Sequence, residues 1–178
     1  MRRVALLGGS FNPPHVGHLL AALYVRACLG DDEVWLVPTY HHPLGKESVA
    51  YEHRVAMCEA AAADHAGWLK VSRAESELSG EGRTIDLLEH LLPRHAGVRF
   101  RFVIGSDIIA DLPKWKAWDR IQELVEVTVL NRAGHPAPGT VGPPLAMVSS
   151  TQLRERLDPQ LVPQAVLEYV RRNHLFGT

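Results

Sequence analysis

Cysteine is nearly absent: the chain of 178 residues holds two, Cys28 and Cys58. Both sit in helix-like patterns and are expected to be small buried residues of a reduced, cytoplasmic protein. A surplus of charge is also lacking, with 19 Lys and Arg against 20 Asp and Glu, a net charge of -1 with His neutral. A nonspecific nucleic-acid binder is clearly basic, so no nucleic-acid partner is expected. No apolar run reaches the roughly 18 residues of a membrane span, so no membrane partner is expected either. The start, MRRVALLGGS, has two arginines and a short apolar run. Glycine, proline and histidine follow it, where a signal peptide would continue apolar to a small-residue cleavage site. The phosphate-binding signatures G-x-x-x-x-G-K-S/T and G-x-G-x-x-G are missing. So is any constellation of serine, histidine and carboxylate suited to nucleophilic catalysis.

What is present is an ordinary globular composition, 46% apolar and 22% charged, in a length that suits one compact domain over residues 1–178. Apolar runs and helical spacings alternate from end to end. Strands are predicted at 3–7, 33–38, 68–73, 99–105, 125–132 and 145–149. Helices are predicted at 17–30, closed by Gly30, at 51–65, at 83–92 ending near Pro93, and at 150–157 and 163–176. Between 106 and 124 two short helices broken at Pro113 are expected. The Gly/Pro-rich stretch 133–144 reads as a loop. This alternation predicts an α/β fold, a doubly wound and mostly parallel sheet with helices on both faces. Ligand crevices in such folds open at the carboxyl ends of strands.

The densest stretch is GGSFNPPHVGHL, residues 8–19. Gly8 and Gly9 end the first strand, where a bare backbone approaches a ligand closely. Pro13 and Pro14 stiffen the turn and delay the helix to about His15 or Val16. His15 and His18, three apart, share one face of its first turn. A helix start favours anions, and two imidazoles there add donors for phosphate oxygens. A pair of satisfied histidines beside a tight turn is the plainer alternative. Zinc binding finds no third ligand at a convincing spacing, and no metal ligand is assigned.

A second cluster, VSSTQLRERL, places Ser149, Ser150 and Thr151 at a helix start with Arg154 one turn in. Any of the hydroxyls can cap the helix. Together with the guanidinium they can also converge on one anion. In GSDIIADLPKW, Gly105 permits close backbone approach after a strand. Asp107 can cap the next helix or accept from ribose hydroxyls. Trp115 can pack as a core or lid aromatic, or offer a face for stacking a heteroaromatic ring.

These motifs together resemble the HxGH nucleotidyltransferase superfamily, and within it the bacterial nicotinate mononucleotide adenylyltransferases. VSSTQLR is similar to that family's I-S-S-T-x-I/V/L-R, and GSDIIADLPKW to its G-x-D-x-I/L-x-x-L/F-x-x-W. RTIDLL is a weaker match to T-x-D-T-L, departing at Arg83 and Leu87. The loop HHPLGKE differs from the family's P-P-H-K, while Arg54 falls on its R-x-x-M as a scaffold residue held in ion pairs. The resemblance implies a Rossmann-like nucleotidyltransferase fold with His15, His18 and Arg154 as the catalytic set. It implies ATP and phosphate contacts from Gly8, Gly9, Ser10, Phe11, Lys46, Gly105, Asp107, Ser149, Ser150 and Thr151. Asp107 would hold the ATP ribose. Thr84, Trp115 and Lys116 would receive the pyridine mononucleotide, with Trp115 stacked on its ring.

The reaction so implied joins nicotinate mononucleotide to the AMP part of ATP and releases pyrophosphate. The attacking phosphate is already an anion near neutral pH, so no side-chain base is needed. Two histidines, a helix start, an arginine and an Mg²⁺ arriving with ATP would align the polyanions and neutralise their repulsion. The alternatives are a preference for nicotinamide mononucleotide, adenylyl transfer to phosphopantetheine, and a noncatalytic nucleotide-binding regulator. The oligomeric state is left open, a homo-oligomer included.

Overall fold

In the computed structural model, residues 1–40, 48–80, 82–146 and 148–178 are described. Six strands form one sheet in the order β3-β2-β1-β4-β5-β6, every pair parallel. They are β1 (Arg2–Gly9), β2 (Glu33–Pro38), β3 (Leu69–Val71), β4 (Val98–Gly105), β5 (Glu126–Arg132) and β6 (Val141–Leu145). The central strands are apolar on both faces because helices cover both. Val4, Leu6, Phe100, Phe102 and Ile104 face α3 (Thr84–Arg94) and α4 (Trp118–Leu124). Ala5, Val34, Leu36, Val103 and Leu130 face α1 (Val16–Tyr24) and α2 (Tyr51–Ala62). The strand order reverses direction between β1 and β4, so the crevice of this doubly wound sheet opens at Gly9 and Gly105.

The last two helices, α5 (Ser150–Glu155) and α6 (Gln164–Arg172), lie beside α2. Val148, Leu153, Val166, Leu167 and Val170 bury against Met57 and Ala61. That packing returns the end of the chain to its beginning. No helix among the described residues is long and apolar enough to cross a membrane.

Three expectations are corrected. The last strand is Val141–Leu145, inside the supposed loop, and not 145–149. Pro143 and Pro144 are tolerated because β6 is an edge strand whose pairing with β5 carries a register shift, so neither missing N–H breaks a regular ladder. A single 3-10 stretch, Ser106–Lys114, runs through Pro113, and the break comes later, at Ala117 with φ 56°. Helix α3 ends at Arg94, beside Pro93 as expected. Finally, Cys58 is buried but Cys28 is exposed. Cys28 lies in a π-wound turn, Val25–Leu29, whose extra residues per turn shift it off the buried face before Gly30 ends the segment at φ 73°.

Candidate active site

At the end of β1 the chain turns through Ser10 and Phe11, the latter at φ 47°, and a cis Asn12-Pro13 bond. Phe11 is wholly buried, so its ring shapes the turn from inside. Its ring supports Gly9, where a Cβ would stand 3.4 Å from it, and meets the His18 ring at 4.7 Å. Gly8 is exposed with open space beside it. The turn is held from below by buried Arg54. Its guanidinium donates to the carbonyls of Ser10 (3.0 Å), Thr39 (2.7 Å) and Val49 (3.2 Å). Arg54 is therefore a scaffold residue as expected, but it braces carbonyl oxygens, and among the described residues it makes no ion pair.

His15 caps α1 in an extended conformation, and the helix begins at Val16. The first helical N–H is already spent, donated by Val16 to the Leu161 carbonyl at 2.8 Å. The rings of His15 and His18 stack at 3.7 Å. The glycine between them has a steric reason: a Cβ at Gly17 would lie 3.1 Å from the His15 imidazole. The His15 backbone N–H donates to His18 Nδ1 at 3.1 Å. With Nδ1 accepting, the proton of neutral His18 sits on Nε2 as a donor. His15 Nδ1 is buried without a partner.

Both imidazoles are neutral at pH 7. Burial, then the charge of Arg132, lowers His15 to about 4. Burial, then His15 and Arg132, holds His18 well below its ordinary value. In the free protein the histidines are therefore neutral, and arginines carry the positive charge.

The C-terminal cluster meets this turn directly. Ser150 Oγ donates to the Pro13 carbonyl at 3.0 Å, and Arg154 Nη1 to the Asn12 carbonyl at 3.0 Å. Arg154 Nη2 also donates to Thr151 Oγ1 at 3.1 Å, and Ser149 caps α5 from an extended conformation. Residues about 140 apart in sequence form one wall of the crevice.

The third wall follows β4. A Cβ at Gly105 would come 2.3 Å from Asp107 Oδ1, so any other residue there would displace that carboxylate. Asp107 Oδ2 accepts from Arg132 Nη1 at 2.9 Å, and Oδ1 is buried without a partner. Arg132 also donates through Nη2 to the Val148 carbonyl (2.9 Å) and through its backbone N–H to Ser106 Oγ (2.9 Å). Sequence reasoning missed Arg132. The available signal was a basic residue at the carboxyl end of a central strand, beside the strand that ends at Gly105.

Thr84 opens α3, and Trp115 ends the 3-10 stretch, half-buried and 6.0 Å from both Phe102 and Trp118. Both belong to the α3 face of the sheet, whereas the histidines belong to the α1 face, across the switch point. Lys116 is exposed. Lys46 lies outside the described residues. Among the described residues, no group of three or more His, Cys, Asp or Glu side chains is placed to hold a metal ion.

The cytidylyltransferase-like family model matches residues 6–156. The chain belongs to the cytidylyltransferase-like family. Within it, the chain is 56% identical to a Myxococcus xanthus protein named "Probable nicotinate-nucleotide adenylyltransferase", over 98% of this chain and 95% of that one. A relative of the same name from Anaeromyxobacter dehalogenans is 48% identical, over 98% and 97%. The fold is also that of the Plasmodium falciparum nicotinic acid mononucleotide adenylyltransferase solved with NaAD. That structure matches with a TM-score of 0.80 at 17% identity, covering 99% of this chain and 98% of that one.

Proposed function

We propose that the chain, as one domain over residues 1–178, transfers the adenylyl group of ATP to nicotinate mononucleotide. The products are nicotinate adenine dinucleotide and pyrophosphate, a step of NAD biosynthesis. One observation in this chain carries the reading beyond its relatives' name. Ser150 and Arg154 are hydrogen-bonded to the carbonyls of the turn that presents His15 and His18, at the switch point of the sheet. Two anion-binding elements are thereby fused into one cradle for a triphosphate.

The mononucleotide phosphate oxygen attacks the α-phosphorus of ATP, and the bond to the bridging oxygen of pyrophosphate breaks. No proton need move, since the second ionisation of a phosphate monoester lies near pH 6. The neutral histidines agree with such chemistry, because neither is poised as a base. His18 Nε2–H and the His15 ring give donors to the phosphates, and Arg154 and Arg132 supply charge. Gly8, Gly9, Ser10 and the Phe11 backbone line the phosphates with Ser149, Ser150, Thr151 and Lys46. Gly105 and Asp107 take the ribose, its hydroxyls satisfying the buried Oδ1 that lacks a partner in the free protein. Thr84, at the start of α3, meets the pyridine carboxylate, Trp115 stacks on the ring, and Lys116 stands beside it. Mg²⁺ arrives with ATP and, when bound, neutralises triphosphate charge. Among the described residues no group of three or more His, Cys, Asp or Glu side chains is placed to hold it, and phosphate oxygens and water would be its ligands.

Pyrophosphate release from ATP and Mg²⁺ tests this, with nicotinate and nicotinamide mononucleotides in parallel. The acid form should win by tenfold or more in kcat/KM, about 1.4 kcal/mol. A win or tie for the amide overturns the reading of the pyridine pocket. No release with either overturns the proposed substrate, and phosphopantetheine is then the next acceptor to try.

A further inference from the structure

A second cavity, of about 400 Å³, lies on the α3 face of the sheet, and none of its lining residues belongs to the site above. Its origin is a gap in the packing. Helix α3 covers β1 and β4, and the β2–β3 edge is left open. One bank is the sheet, where Trp35 on β2 and Lys70 on β3 are register partners and so point to the same side. The other bank is the end of α3, with His90, Arg94 and His95. Arg2 and Arg73 close the ends.

The charge of this groove is unbalanced. Four permanent cations, Arg2, Lys70, Arg73 and Arg94, face two carboxylates, Glu33 and Glu77. Those carboxylates are engaged. Glu33 Oε2 accepts from Trp35 Nε1 (2.8 Å) and from Arg2 (3.3 Å), and Glu77 pairs with His90 (3.0 Å). Arg73 is spent on Glu52, outside the groove. Lys70 and Arg94 have only backbone carbonyls as hydrogen-bond partners among the described residues, those of Ala66 and His90. Two cations on opposite banks thus stand without an ion-pair partner among the described residues. Between them lies a half-buried indole with the His95 ring 5.0 Å away.

We propose that this groove binds a small phosphorylated aromatic anion of the mononucleotide type. Lys70 and Arg94 take the phosphate from either bank, and Trp35 and His95 offer an aromatic wall for the ring. The volume falls within the range of small-ligand pockets. Unlike the substrate site, the groove has no turn or switch point, and its cations are exposed, so binding should weaken with salt. The inference does not depend on the reaction proposed above.

The test is an NMR titration of the full chain, ¹⁵N-labelled, with AMP as the probe. Four indole N–H signals are available, one per tryptophan. Trp35→Phe identifies the relevant one. The Trp35 signal should move saturably with AMP, and equally in His18→Ala, which separates the groove from the catalytic turn. Lys70→Gln/Arg94→Gln should weaken that response at least tenfold while leaving kcat for adenylyl transfer unchanged, and each single exposed substitution should weaken it in part. Adenosine without phosphate should move the signal at least tenfold more weakly. A Trp35 signal that ignores AMP overturns the proposal. So does one that responds equally in the double variant, or movement confined to the Trp115 signal.

Discussion

Glu75→Gln should make the protein more stable, by an amount that depends on pH. Glu75 is buried, and its carboxyl is pushed up from 4.5 to about 7. Burial is the main cause and Asp86 adds to it, while the Tyr40 N–H and Arg54 oppose it. Between those two values the folded protein holds a proton that the unfolded chain has released. Unfolding then releases a proton, so stability falls as pH rises from about 4.5 and the loss is complete above about 7. At 1.36 kcal/mol per pH unit, the loss approaches about 3 kcal/mol. Glutamine keeps an oxygen for the Tyr40 N–H and has no charge to bury. The variant should therefore match the wild type near pH 4 and exceed it by about 3 kcal/mol at pH 8.

His15 supplies the opposite slope. Its pKa falls from 6.5 to about 4, so the unfolded chain binds the extra proton in that window. Its contribution is full above 6.5 and is lost as pH drops through 4. In the wild type the two slopes offset one another over much of the overlap. In Glu75→Gln the histidine slope should stand alone, and His18 adds to it with the same sign. Urea unfolding at pH 4.5, 6 and 8 reads this as a midpoint shift at constant slope. Parallel curves for the two proteins at every pH would refute the reasoning, as would a less stable variant at pH 8.

Further substitutions probe the site. His18→Ala should cost about a hundredfold in kcat, the scale of one transition-state donor, and near-normal turnover from a folded variant removes that role. Gly17→Ala should push the His15 ring aside and lower kcat about tenfold, while alanine's helix preference, about 1 kcal/mol, keeps the fold at least as stable. Equal kcat with a raised melting temperature would count against the steric reading. Trp115→Ala should raise KM for the mononucleotide far more than for ATP, and equal effects would end the stacking assignment. Arg54→Leu orphans three carbonyls and should cost about 3 kcal/mol or more in urea unfolding, with under 1 kcal/mol telling against the brace.

Local chemistry was legible before the structure. The strand that stops at Gly9, the helix that waits until after Pro14, and the hydroxyl cluster that opens α5 all follow from residue conformational limits. Contacts between distant segments were not. Arg132 and Asp107 lie 25 residues apart, and nothing local marks them as partners. The edge strand through Pro143 and Pro144 contradicts strand propensity and exists only because one side of it is free. A 3.6-residue period places Cys28 on the buried face, and the π-wound backbone there does not keep that period. The charge of the histidines depends on burial and on a neighbouring guanidinium, neither of which a motif records.

That last point bears on how the site works. Two protonated imidazoles would attract a triphosphate strongly in the ground state and leave little to gain at the transition state. Neutral ones offer directed donors instead, and the His15 backbone N–H fixes which nitrogen of His18 donates. The positive charge lies on arginines whose positions are already set: Arg132 by Asp107 and the Val148 carbonyl, Arg154 by the Asn12 carbonyl. Of these anchors only Asp107 is charged, and its second oxygen is buried and unpartnered. A ligand that fills this crevice therefore completes hydrogen bonds the free protein leaves open. The donors around it, Ser150, Arg154 and Arg132, are already engaged with protein carbonyls and with Asp107, so a ligand shares or exchanges those bonds.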